Sequence, residues 1–151
     1  MPEGDGPTAV LGLRPATTIH EIRLRLARAD HCGQGRRGVR GDHDLNPETQ
    51  PPAELCDAAV LIGLVERAQG PTVIFTQRTA HLAAHAGQIS FPGGHVEPGD
   101  ADAEDTALRE TEEEIGLNRD RVELLGRLDT YLTRTGFRVT PVVGVVRSPP
   151  A

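Results

Sequence analysis

The 151-residue chain has no lysine and no tryptophan, and every one of its 16 basic side chains is arginine. The absence of lysine removes the phosphate-binding lysine of a P-loop and the amine of a Schiff base, so both chemistries are excluded as expectations. Cys32 and Cys56 are too few and too isolated for a zinc site, and the expectation is two reduced thiols. With only Phe75, Phe91, Phe137 and Tyr131 as aromatic side chains, the core has to be built from Val, Leu, Ile and Ala. No apolar run approaches the roughly 20 residues that span a bilayer. The N-terminus lacks the apolar h-region of a signal peptide, so the sequence predicts a cytoplasmic protein with no membrane partner.

The length suits one domain large enough to bury a real core. Glycine (17) and proline (12) are plentiful, so turns are frequent. The net charge of −6 is uneven: nine acids and one base lie between Glu97 and Glu114, and the rest of the chain is net positive. A local acidic patch calls for a local counter-charge, and nothing in this pattern suggests a nucleic-acid partner.

Residues 1–17 read as a tail. Thr18 and Glu21 form a capping box, and Ile19, Ile22 and Leu26 follow at helical spacing, which predicts a helix over 19–29. Residues 30–55 read as a linker or an arm lying on the domain, so the division expected is 1–55 as an N-terminal arm and 56–151 as the domain. Residues 58–65 read as a buried strand, Gly70-Pro71 as a turn and 72–76 as a second strand. A polar loop over 78–90 leads to a short strand at 89–91, which Pro92-Gly93-Gly94 breaks. Asp102 caps a helix over 102–115, whose apolar stripe is Leu108, Thr111 and Ile115 and whose C′ residue is Gly116. Strands are expected within 122–132 and 137–146. The tally is an α+β chain with a mixed sheet and a helix packed on it.

On the second helix Glu110 shares a face with Glu113 and Glu114, and like charges at that spacing repel by a few tenths of a kcal/mol per pair. Three converging carboxylates are reasonable where a hard divalent cation such as Mg²⁺ sits among them. A solvated acidic face is the competing reading, and for an isolated Glu run it is the commoner one. The context shifts the balance, because paired glycines just upstream allow backbone N–H groups to approach an anion closely.

Gly94 through Leu117 resembles the Nudix box, G-x5-E-x7-R-E-U-x-E-E-x-G-U with U apolar. Asp100 stands in place of the first Glu, eight residues rather than seven separate it from Arg109, and Thr111 replaces an apolar residue. The extra residue, together with Ile74 to Thr79, Gly87 to Gly94 and Thr140 to Gly144, is similar to the coenzyme A pyrophosphatase branch of that superfamily. Ala83 departs from the branch, which carries a second arginine there. The resemblance covers about 58–147.

The resemblance implies an α/β/α sandwich, the Nudix fold, and also a further strand and C-terminal helix that this sequence lacks after Val146. It implies a Mg²⁺- or Mn²⁺-dependent pyrophosphohydrolase acting on a small nucleotide substrate. Coenzyme A or its thioesters would be cleaved to 3′,5′-ADP and (acyl-)4′-phosphopantetheine. Glu110, Glu113 and Glu114 are the implied metal ligands, with Glu113, Glu114 and Arg109 the implied catalytic set. Arg109 would orient a glutamate; a surface pair with Asp105 is its alternative. Arg78, His85, Gly93 and Gly94 are the implied substrate contacts. Activity on ADP-ribose, NADH or a nucleoside triphosphate, or an inactive remnant of the fold, stands as the alternative.

Overall fold

The computed structural model describes residues 17–31, 39–48, 50, 52–77 and 87–147. The first helix, α1 (Ile19–His31), opens on the expected reciprocal cap. The Thr18 amide donates to Glu21 Oε2 at 3.0 Å and the Glu21 amide to Thr18 Oγ1 at 3.2 Å. A short strand β1 (Val39–Gly41) and a single helical turn α2 (Asp42–Leu45) follow. The central strand β2 (Cys56–Val65) turns back through Gly70, at φ 119°, into β3 (Thr72–Val73).

The strand expected over 72–76 is divided. Residues 72–73 stay on β2, while β4 (Thr76–Gln77) leaves to pair with β5 (Ile89–Ser90) in a separate two-stranded ribbon. The Pro92-Gly93-Gly94 break is also corrected, because β6 (Gly93–His95) is a strand antiparallel to β2, with Val60 opposite Gly93 and Ala59 opposite Gly94. Next come α3 (Ala103–Ile115), a 3₁₀ turn over 119–121, β7 (Val122–Arg127), β8 (Thr130–Leu132) and β9 (Phe137–Val146).

The main sheet is mixed. β2 and β9 run parallel in register from Cys56 opposite Phe137 to Val65 opposite Val146. β6 and β3 flank β2, whereas β8 and β7 flank β9, and β1 adds to β8 in parallel. A bulge at Leu125 bends β7 along β9, and Gly144 gives it room, since a Cβ there would lie 2.7 Å from Val122 Cγ1.

Alternation along β2 and β9 sends side chains to two cores. Ala59, Leu61 and Val142 bury against Ala107 of α3. Leu64, Val143 and Val145 bury on the opposite face against Ile19 and Leu26 of α1. The sheet therefore lies between two helices, as the sandwich expectation requires. The stripe expected on α3 is shifted: Thr111 is buried, Leu108 is half-buried and Ile115 is exposed, whereas Thr106 and Ala107 are fully covered. Small residues let the helix lie close to the small side chains of β2.

Candidate active site

Within the acidic patch Arg109 pairs with Glu97, Asp100, Glu110 and Glu113. Asp102 caps α3 by accepting from the Asp105 amide at 2.8 Å, and Gly116 closes the helix in the left-handed conformation, its amide donating to the Glu112 carbonyl at 2.9 Å. Between these caps Arg109 points back toward the β6–α3 loop. Its Nε donates to Asp100 Oδ1 at 2.8 Å and its Nη2 to Asp100 Oδ2 at 3.0 Å, a fork-to-fork pair. Nη2 also donates to the His95 carbonyl at 3.0 Å, and Nη1 to Glu110 Oε1 at 3.0 Å and to Glu113 at 3.4 Å.

Arg109 is thus hydrogen-bonded to two glutamates, and its suggested surface partner, Asp105, is bonded to Arg119 at 2.8 Å instead. Asp100 was readable only as a departure from the box. It is the anchor: its side chain is 4% exposed and also accepts from the Glu97 amide and the Thr106 hydroxyl, each at 2.8 Å. The signal available in the sequence was an acid at the mouth of a capped helix, upstream of the lone arginine. Thr111 fits an apolar position because its hydroxyl donates to the Ala107 carbonyl at 2.6 Å, one turn back.

Two of the three glutamates reach the glycine pair. The Gly93 amide donates to Glu114 Oε2 at 3.2 Å. Gly94 lies beneath Glu110, so that a Cβ there would stand 2.5 Å from the Glu110 carboxyl carbon. Glu113, one turn away, is 61% exposed. Glu112 faces Arg119 rather than this group. Arg78 and His85, and with them Ala83, lie outside the described residues.

An all-carboxylate donor set suits Mg²⁺ or Mn²⁺. Among the described residues no three acidic, His or Cys side chains already converge as a cation cage. Arg109 Nη1 bridges Glu110 and Glu113.

The hydrogen bonds from Arg109 hold the Asp100 carboxyl well below the ordinary carboxylate range and, reciprocally, raise the Arg109 guanidinium. Because the folded-state value lies below the unfolded one, this pair stabilises the fold above about pH 4 and the contribution is lost as pH falls further. Asp100→Asn keeps the shape and removes the charge. It should flatten the acid limb of a pH–stability curve measured by thermal melting and, on the hydrolase reading proposed below, lower activity about 10- to 100-fold, the range for groups that orient ligands.

The chain matches the NUDIX domain family over residues 56–148 and belongs to that family. The Escherichia coli (strain K12) protein "Uncharacterized Nudix hydrolase NudL" is 51% identical over 89 residues, 59% of this chain and 46% of the relative. Its Yersinia enterocolitica namesake is 48% identical over 89 residues, 59% and 45% of the two chains. The chain spans about half the length of the curated relatives it matches. Among solved structures, the Nudix hydrolase RenU from M. smegmatis superposes with a TM-score of 0.53 at 19% identity, covering 62% of this chain and 63% of that one. C. elegans Ap4A hydrolase gives 0.51 at 23%, covering 63% and 70%. The fold is the Nudix fold. Among the described residues no helix is long and apolar enough to cross a membrane.

Proposed function

We propose that this chain carries a metal-dependent hydrolase of a nucleoside diphosphate derivative, with coenzyme A or its thioesters as the favoured substrates. The observation that carries the reading is the Arg109 hub. One guanidinium, fixed from behind by Asp100, gathers Glu110 and Glu113, while Glu110 and Glu114 converge on the Gly93-Gly94 backbone. A surface acidic helix has no need of such an anchor.

Glu110, Glu113 and Glu114 would hold Mg²⁺ or Mn²⁺, which supplies Lewis acidity toward phosphoryl oxygens and lowers the pKa of water. The chain's own residues supply position. Asp100 keeps Arg109 extended, Arg109 aligns two carboxylates, and the Gly93 amide aligns the third. The two glycines leave the backbone open to an approaching anion. Arg78 and His85 are proposed as phosphate and nucleotide contacts, on the similarity of the segment before the box to the coenzyme A pyrophosphatase branch. Ala83, where that branch has arginine, favours ADP-ribose, NADH or a nucleoside triphosphate as the second reading.

Mass spectrometry of the chain incubated with coenzyme A and Mg²⁺ should show 3′,5′-ADP and 4′-phosphopantetheine, and EDTA should suppress both. Glu113→Gln, at an exposed position, should leave the fold intact and lower kcat by about 100-fold or more, beyond the 10- to 100-fold loss typical of groups behind a ligand. Retained turnover at saturating Mg²⁺ would contradict the ligand assignment.

A further inference from the structure

On the face of the sheet opposite α3, beside α1, lies a cavity of about 870 Å³. That volume is within the range of small-molecule sites. Its walls are mostly apolar: Leu26, Val60, Ile62, Phe91, Val139 and Pro141. Phe75, 54% exposed, packs against Phe91 with ring centroids 4.9 Å apart, and both rings line the space. One end is polar, formed by Arg40, Arg127, Asp129 and Tyr131. Arg40 comes from β1, outside the 56–148 family match.

The fold fixes β1 in place. Val39, Arg40 and Gly41 pair in register with Thr130, Tyr131 and Leu132. The next residue, Asp42, accepts from the Tyr131 hydroxyl at 2.6 Å and from the Arg134 amide at 2.7 Å. These bonds hold the Asp42 carboxyl below its ordinary range, so the clasp stays charged at neutral pH. The two arginines at the polar end differ. Arg127 is gripped through both Nε and Nη2 by Glu104 of α3. Arg40 meets Asp129 at 3.7 Å in a solvent-exposed pair, with the two side chains 69% and 45% exposed. Exposed pairs of that kind contribute roughly 0–1 kcal/mol and yield readily to a multiply charged anion that arginine can grip with two hydrogen bonds.

The cavity and the carboxylate group are neighbours through one short segment. Phe91 lines the cavity, and Gly93 and Gly94, two and three residues on, lie against Glu114 and Glu110. Three extended residues span about 10 Å, and β6 is a three-residue strand at the sheet edge. A diphosphate beside the glutamates can therefore lead its attached nucleoside over this edge into the cavity.

We propose that β1 completes a binding cavity for the nucleoside half of the substrate, and that Arg40 at its rim receives a phosphate monoester borne by that half. The base rests against the apolar wall beside Phe75 and Phe91. The proposal rests on the hydrolase reading above and adds a specificity residue from outside the family match.

The test is titration calorimetry of the whole chain, with Mg²⁺, against 3′,5′-ADP and 5′-AMP, which differ by the one phosphate. Wild type should bind 3′,5′-ADP about tenfold more tightly, the effect of one charge-assisted contact. Arg40→Gln should bind the two equally, with affinity for 5′-AMP unchanged. Arg40→Lys, which keeps the charge and loses the fork, should restore part of the preference. An unchanged thermal melt for Arg40→Gln establishes that its fold is intact. A preference that survives in Arg40→Gln, no preference in wild type, or failure of either nucleotide to bind overturns the proposal. The titration needs no turnover, so absence of coenzyme A hydrolysis would count against the hydrolase reading alone.

Discussion

Gly94→Ala should leave the protein folded while removing the metal-dependent activity proposed for it. The backbone at Gly94 needs no special conformation, and the constraint is the space above it. An added methyl would stand 2.5 Å from the Glu110 carboxyl carbon and 2.7 and 2.8 Å from its oxygens. Nothing else crowds that direction so closely, and the crowded atoms are the far end of a flexible side chain. Glu110 can therefore swing away without disturbing β6 or α3, but its carboxylate leaves Arg109 and the position proposed for it as a metal ligand. The expected outcome is a loss of about 100-fold or more in metal-dependent turnover, as for removal of a ligand rather than of its support. The accompanying stability change should be under about 1 kcal/mol, a Tm shift of roughly 2–4 °C. A steady-state assay beside a circular-dichroism melt reads both. An unfolded Gly94→Ala, or one with ordinary activity, would contradict the geometry.

The neighbouring substitution should do the reverse. At Gly93 a Cβ would collide with the Ala59 carbonyl oxygen and lie 2.7 Å from Val60 Cα and 2.8 Å from Val60 Cγ1. These atoms belong to the backbone of the central strand and to its packed side chain, and they cannot swing aside. Gly93→Ala must either part β6 from β2 or distort the strand that both helices pack upon. Overpacking of a fixed core costs about 1–3 kcal/mol, with larger values where backbone must move. A loss of about 3 kcal/mol lowers Tm by about 6–12 °C in a chain of this size. A Gly93→Ala protein that melts like wild type would show that β6 does not lie as close to β2 as described. Adjacent glycines thus serve different ends: the first admits the strand to the sheet, and the second leaves room for a carboxylate.

The difference between the two glycines also marks what the sequence could disclose. Local rules were readable: the Thr18/Glu21 box, the Asp102 cap and the Gly116 stop all formed as expected, because each depends on residues within one turn. The glutamate face of α3 was readable for the same reason. Gly93 and Gly94 were read as a break because Pro-Gly-Gly is ordinary turn chemistry. Their strand depends on Ala59 and Val60, more than thirty residues upstream. The parallel pairing of β2 with β9, which brings Asp57 within 2.6 Å of Arg138 across 81 residues, had no local signature. The α3 stripe was misjudged because apolar size pointed to Leu108 and Ile115. Thr111 was expected and is buried with its hydroxyl satisfied, while close packing on Ala59 and Leu61 favours Ala107 over the larger two. Asp100, a departure from the pattern, is nonetheless built into the site. The shorter acid, with one more residue before Arg109, still grips one edge of the guanidinium with both oxygens.

The central claim is that Glu110, Glu113 and Glu114 are gathered to hold a divalent cation. Electron paramagnetic resonance titration with Mn²⁺ tests it most directly, because free and bound Mn²⁺ are distinguished without any assay of turnover. The account predicts saturable binding by the wild-type chain that is lost or strongly weakened in Glu113→Gln, with the two proteins melting alike. Absence of binding in wild type, or binding of equal strength in the variant, would contradict it.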